Sequence, residues 1–517
     1  MEKYAFDSAS VLSSFRSWYP RMQPHRDIES LAGNVLEYIK ADGQSCLLFS
    51  SLQSATECVD YATSSRRDNG VDKSPVPSEQ ISLRAFCAKD CFFAVIFPVE
   101  KRSVVAGFWG TPGSGISSRF AEANLGHLHD VKEVDVAESI RKASNFDGPV
   151  YKVRRARIMD YLHRAATTLQ NPSPNIDDVY FFPTGLAAIY KPHTYMLSHF
   201  GGTTVLFGMA FVNTVILFEE FGLNHKFFGR GDDNDMDELE KYLDLEHRRG
   251  GRVQTIWAEF PSNPLLTTPN LDRLRQLADT YDIVLAIDDT LGSWSNIDVT
   301  GKTDILVTSL TKSFNGYADV IAGSAILNPA SKKYPVLKSL FNESYIPELY
   351  VGDAEAVERN SRDYLSRTTT LNYNASQLVQ YLSTCVSDPS SAVHRVYYPS
   401  LNPSGKYYEK VLRLDNPDFT PGYGCVFSVE LVDVESAIAF FNALNVHKSP
   451  HLGAPFTLAI PYTVVVYGSK LEWAAKYNLR PALIRISAGL EDINSLLADF
   501  KMAVEAASQI QTKQSKS

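Results

Sequence analysis

The chain has 517 residues, 44% of them hydrophobic and 21% charged, which is the balance of a globular protein of several domains. A formal net charge of −9, without any dense Lys/Arg run, excludes nucleic acid as the main partner. No uninterrupted apolar stretch reaches transmembrane length, so no membrane partner is expected.

The opening MEKYAFDSAS lacks the basic and apolar parts of a signal peptide, and a cytoplasmic location is expected. Ser515, Lys516 and Ser517 come near a peroxisomal tail but lack its leucine. The six cysteines, Cys46, Cys58, Cys87, Cys91, Cys385 and Cys425, form no disulfide framework for a chain this long. Cys87 and Cys91 have no second pair at zinc spacing. Buried, reduced thiols and no metal are expected.

Residues 1–112 mix short helical and strand-like runs, among them SCLLFSSLQSATECVDYA (45–62) and CFFAVIFP (91–98). The polar stretch 64–80 reads as an exposed loop, and GTPGSG (110–115) marks a boundary. From residue 179 apolar β-branched runs alternate with helical patterns. VYFF precedes GLAAIYKPHTYML, and VQTIWAEF (253–260) precedes a helix with Leu271, Leu274, Leu277, Ala278 and Tyr281 on one face. IVLAIDD (283–289) and DILVTSL (304–310) follow. This alternation predicts βαβ units and a mostly parallel sheet in a large domain, 113–370. Residues 371–517 read as a smaller C-terminal α/β domain ending in an amphipathic helix, with the tail 511–517 disordered.

In an open parallel sheet, ligands sit beyond the carboxyl ends of the strands, so the polar residues there are the candidates. FFPTGLAAI (181–189) is a strand, a turn at Gly185 and a helix start, where free N–H groups favour a phosphate. LAIDDT (285–290) ends a strand on Asp288 and Asp289. Either is a metal ligand, a base, a counter-ion for a protonated heterocycle or a helix cap. TSLTK places Lys312 among Ser309, Thr311 and Ser313, between two apolar runs. A lysine there loses pKa and becomes a nucleophilic amine, the alternative being a side chain that snorkels to solvent. Arg485 lies inside the apolar LIRISAG and needs a carboxylate partner or an anionic ligand. A lysine, an acid, a phosphate cup and an arginine together suggest pyridoxal phosphate and an amino-acid substrate.

GISSRFAE (115–122), FFPTGLAAIY (181–190), EFPSNPLL (259–266), IDDTLG (287–292), SLTKSFNGYADVIAGSAILNP (309–329), VERNSRDYLSRT (357–368), HLGAPFTLAIPY (451–462) and RISAGLED (485–492) carry a family resemblance. The chain resembles the fungal form of the cystathionine γ-synthase branch of the Cys/Met-metabolism pyridoxal-phosphate enzymes. YPR (19–21) and CLLF (46–49) resemble the N-terminal extension of fungal members. The resemblance implies the aminotransferase-like fold, fold type I. It implies that Lys312 forms the internal aldimine and shuttles protons, and that Asp288 pairs with the pyridine nitrogen. Backbone N–H groups of Gly185 and Leu186, with the hydroxyls of Ser309 and Thr311, would hold the phosphate. Arg485, helped by Asn263, would take the substrate carboxylate. The implied reaction is γ-replacement on an O-activated L-homoserine, such as the O-acetyl ester, through a β,γ-unsaturated ketimine. Cysteine is the default nucleophile. A carbon or nitrogen nucleophile, an eliminating lyase and a non-catalytic homologue are the alternatives.

Three departures stand out. Phe207 in LFGMAF falls where many members stack a tyrosine on the cofactor, and phenylalanine has no phenolic proton to give. His451 replaces the serine before Leu-Gly, near the substrate carboxylate, where an imidazole either acts as acid or base or fills space. The Tyr-x-Arg pair that reaches a neighbouring subunit's phosphate is replaced, in GPVYKVRRARIM, by Tyr151 and Arg154. Active sites shared across subunits imply a homodimer or homotetramer.

Overall fold

A computed structural model of the chain describes residues 23–137, 139, 148–164 and 172–514. The N-terminal sheet holds β1 (Gln44–Phe49), β2 (Ser82–Cys87), β3 (Cys91–Pro98) and β4 (Lys132–Val134) in the order β1-β3-β2-β4. Its strands are antiparallel. β4 lies beyond the boundary expected at residue 112, because the chain returns after GTPGSG to pair with β2. YPR lies outside the described residues.

The central seven-stranded sheet comprises β5 (Val179–Phe182), β6 (Thr203–Phe207), β7 (Asn224–Phe228), β8 (Val253–Glu259), β9 (Val284–Asp288), β10 (Ile305–Thr308) and β11 (Gly323–Leu327). Their order is β5-β11-β10-β9-β8-β6-β7. β11 is antiparallel to both neighbours, and the other adjacent pairs are parallel. All residues of β8 are buried, as expected of a parallel strand covered on both faces. The helix Leu271–Thr280 returns Leu271, Leu274, Leu277 and Ala278 to the core, capped by Asn270, which accepts the Arg273 N–H.

The third sheet holds β12 (Val393–Tyr397), β13 (Val426–Leu431), β14 (His447–Lys448), β15 (Leu458–Ile460) and β16 (Leu483–Ser487), ordered β12-β13-β16-β15-β14. The helix Tyr364–Val386 runs through the boundary expected at 370, so one rigid element links the two domains. The final helix extends over Ile493–Gln514, which replaces the disorder expected from residue 511, while 515–517 lie outside the described residues. Among the described residues, no helix is long and apolar enough to cross a membrane.

The cysteine expectation is corrected at one pair. Cys87 and Cys91 face each other across the β2–β3 hairpin, with Cα atoms 4.0 Å apart, and form a disulfide. Antiparallel register brings them together, a relation that metal-ligand spacing does not reveal. Cys46, Cys58, Cys385 and Cys425 are buried free thiols.

Candidate active site

The carboxyl ends of β5, β8, β9 and β10 open onto a cavity of about 420 Å³, closed on its far side by β16 and the helix Tyr462–Tyr467. After β5, the chain turns into the helix Gly185–Phe200. Thr184 caps it: its Oγ1 accepts the Ala187 N–H at 2.9 Å and donates to the Gly113 carbonyl at 3.0 Å. The first N–H groups of a helix have no intrahelical acceptor, so those of Gly185 and Leu186 are available to an anion. A Cβ on Gly185 would lie 2.8 Å from both Cβ and Oγ of Ser309. The glycine therefore lets the end of β10 pack directly on the helix start. Ser309 and Thr311 both line the cavity, but Thr311 Oγ1 donates to the Ala322 carbonyl and accepts its N–H, both at 3.1 Å.

Lys312 lines the cavity, and its ammonium form is strongly disfavoured, first by burial and then by the nearby Arg485. Its amine is held well below the usual lysine range, which favours the nucleophilic, uncharged form. Asp288 ends β9 and accepts the Thr290 N–H at 2.9 Å. Burial raises its carboxyl to about 6. Asp289 points away from the cavity, accepts from Thr308 Oγ1, and is raised by burial to about 8. Alternation along the strand end thus separates the two acids that the sequence left equivalent.

Arg485 reaches in from β16. Its guanidinium donates to Asn263 Oδ1 at 2.9 Å and to the Pro450 carbonyl, and lies over the Tyr462 ring at 4.8 Å. Asn263 Nδ2 in turn donates to the Tyr462 hydroxyl at 3.2 Å. Burial lowers the pKa of Arg485, while Tyr462 and Glu259 oppose that shift.

Several sequence candidates fall elsewhere. Phe207 does not line the cavity. It ends β6 inside the core, 6.4 Å from the Phe228 ring, and the chain needs the turn at Gly208 (φ 85°) before Phe211 arrives at the cavity wall. Tyr151 and Arg154 belong to the buried side of the helix Pro149–His163. Tyr151 donates to the Leu349 carbonyl at 2.8 Å, and the Arg154 guanidinium covers the Phe181 ring at 4.1 Å. Arg154 is fully buried within this chain, which lowers its pKa to about 10. His451 is buried between the lining residues Pro450 and Leu452 without lining the cavity itself. Burial, then Lys312 and Arg485, hold its imidazole well below the usual range, so it is neutral and no acid near pH 7.

Sequence reasoning missed Phe211, Glu259 and Tyr462. Glu259 Oε1 accepts the Phe211 N–H at 2.7 Å, fixing that aromatic wall. Burial, then Asp288, raises the Glu259 carboxyl well above its ordinary range. Its signal was present in EFPSNP, where an acid ends an apolar strand.

These residues fit pyridoxal phosphate. A half-buried amine of lowered pKa, a half-buried carboxyl of raised pKa, and a glycine-hydroxyl cradle at a helix start face one cavity. Gly185, Leu186 and Ser309 would hold the phosphate, Asp288 a protonated ring nitrogen, and Lys312 the aldehyde carbon.

Residues 133–505 match the model of the Cys/Met metabolism PLP-dependent enzymes, and 27–117 that of the fungal trans-sulfuration enzyme N-terminal domain. The chain is 33% identical to an alanine racemase of Aspergillus violaceofuscus, over 98% of this chain and 93% of the relative. It is 31% identical to a cystathionine gamma-synthase-like enzyme of Amanita muscaria, over 95% of this chain and 92% of the relative. The cystathionine gamma synthase structure from Xanthomonas oryzae shares the fold, with a TM-score of 0.57 at 19% identity, covering 70% of this chain and 87% of that one. The matched core, the fungal N-terminal unit and the lysine-centred cavity agree: the chain belongs to the Cys/Met-metabolism family of pyridoxal-phosphate-dependent enzymes, in its cystathionine γ-synthase-like fungal form.

Proposed function

We propose that the chain catalyses γ-replacement on an O-activated L-homoserine, with the O-acetyl ester as the expected electrophile. The observation that carries the reading is the pair lining one cavity: the Lys312 amine of lowered pKa and the hydrogen-bonded Arg485–Asn263 pair, which suits a carboxylate. Arg485 orients the substrate carboxylate, which places Cα and Cβ toward Lys312. The bound cofactor supplies an electron sink that acidifies the protons on Cα and Cβ. Lys312 takes and returns those protons, as an amine of lowered pKa can near neutral pH. Asp288 keeps a proton on the ring nitrogen. Phe211 shields the cavity but has no proton to give, so the departing carboxylate receives its proton from Lys312 or water.

The test begins with the visible spectrum of the protein loaded with pyridoxal phosphate. The Lys312→Ala variant is expected to lose the protein-linked cofactor band and at least about 1000-fold in turnover. Incubation of the wild type with O-acetyl-L-homoserine and a nucleophile, followed by mass spectrometry, should give acetate and a Cγ-substituted amino acid. Release of 2-oxobutanoate and ammonia instead would identify an eliminating lyase.

A second reading follows from the racemase relative, which aligns over nearly the whole chain. Racemisation uses only proton removal and return at Cα. Chiral chromatography after incubation with L-alanine separates the readings: accumulation of D-alanine, without acetate release from the homoserine ester, would replace the γ-replacement proposal.

A further inference from the structure

The stretch VERNSRDYLSRT (357–368) takes no part in the chemistry described above, yet it packs against the segment that carries Lys312. Residues 310–315 form a run of turns between β10 and the left-handed Gly316 (φ 73°), neither helix nor strand. Backbone bonds close that run around the lysine, from the Lys312 N–H to the Ser309 carbonyl at 3.3 Å and from the Gly316 N–H to the Lys312 carbonyl at 2.8 Å. The carbonyls that follow Lys312 meet Arg367, which is buried on the helix Tyr364–Val386. Its Nη1 donates to the Ser313 carbonyl at 2.9 Å. Its Nη2 donates to the Phe314 carbonyl at 3.2 Å and the Asn360 carbonyl at 2.9 Å. Its Nε donates to Asp363 Oδ1 at 2.8 Å, which sets the plane of the fork. A Cβ on Gly316 would overlap the guanidinium, so the turn is shaped to receive it. The far end of the loop is fixed separately, where the Asp319 carboxylate accepts from Asn315, Asn360 and Arg119. Buried carbonyls need donors, and a planar guanidinium serves several of them in fixed directions, which a single ammonium does not.

We propose that Arg367 is a positioning residue for Lys312: it holds the turn after the lysine, so that the amine stays aimed into the cavity. Arg367 does not line the cavity and acts through the backbone of residues 313–315. The inference rests on Lys312 being the residue that links the cofactor, and is independent of the nucleophile.

The test compares Arg367→Lys with Arg413→Lys in the cofactor-loaded enzyme. Arg413 is a matched control, buried and donating to the Trp294, Ile297, Leu162 and Arg164 carbonyls, all outside the lysine turn. The absorbance of the protein-linked cofactor is titrated with pH, and kcat and KM are measured for acetate release from O-acetyl-L-homoserine. Arg367→Lys should move the pH midpoint of the band by at least about 0.5. It should lower kcat at least about 10-fold while KM changes less than about 3-fold. Arg413→Lys should lower Tm by a comparable amount and leave the midpoint at its wild-type value. If Arg367→Lys does not load cofactor, Asp363→Ala replaces it and should move the midpoint. Asp363 is half-buried and its side chain caps no helix N–H, so its loss loosens Arg367 and spares the fold. The band titration needs no turnover, so it decides the matter even where γ-replacement fails. An unmoved midpoint in the variant that loads, or an equal movement in Arg413→Lys, overturns the proposal. A protein-linked band that survives Lys312→Ala overturns the lysine assignment beneath it.

Discussion

Asp288 and Asp289 are chemically identical and adjacent, yet they meet opposite surroundings. Asp288 opens to the cavity and can gain a cationic partner there, while Asp289 is enclosed beside Thr308. Asp289 has its pKa raised by burial from 3.8 to about 8. A raised folded-state pKa means that the contribution to stability is present below the unfolded value and is lost as pH rises through the folded one. The protein without cofactor is therefore expected to lose stability from this group between pH 4 and 8. Scanning calorimetry of wild type and Asp289→Asn across that range isolates it, because the other groups are shared. The variant's Tm should fall less with rising pH; parallel curves would contradict the assignment.

At the level of elements, the proposed phosphate cradle depends on how the helix Gly185–Phe200 begins. Thr184 caps it and ties it to Gly113, and Gly185 admits Ser309. Thr184→Ala should cost about 1 kcal/mol of stability, the usual value of a lost N-cap. Gly185→Ala should weaken cofactor binding at least about 10-fold with a smaller loss of stability, since its new Cβ displaces Ser309 and the backbone stays helical. Fluorescence titration with pyridoxal phosphate and urea unfolding separate the two effects. Equal cofactor affinity in Gly185→Ala would remove Ser309 from the cradle.

Across the whole molecule, the N-terminal unit is part of the body of the enzyme. Leu47, Phe49 and Phe108 share one core with Phe182, Phe218 and Trp257 of the large domain. Glu57, from the helix Leu52–Thr63, binds the Lys191 amine at 2.9 Å, and Lys191 belongs to the same helix that starts at Gly185. Removing residues 1–112 would expose that apolar face and leave Lys191 without this partner. Expression of 113–517 alone is expected to give aggregate in size-exclusion chromatography; a monodisperse fragment that retains cofactor would show the unit to be dispensable.

Much of the architecture was legible because its signals are local. Apolar β-branched runs marked β5, β8, β9 and β10, helical periodicity marked Leu271–Thr280, and the polar residues closing those runs marked Gly185, Asp288, Ser309 and Lys312. Arg485 was legible as a charge that an apolar strand must justify. What the sequence by itself determined was therefore the α/β fold class, the cofactor family and a candidate lysine at a strand end. The tertiary structure decided which neighbours turn toward the cavity. It chose Asp288 over Asp289 and Phe211 over Phe207, buried Arg154 under Phe181, kept His451 neutral beside Lys312 and Arg485, and paired Cys87 with Cys91. Those outcomes depend on where a turn releases the chain, on strand register and on desolvation by distant segments, and none of these is encoded in a residue's immediate neighbours.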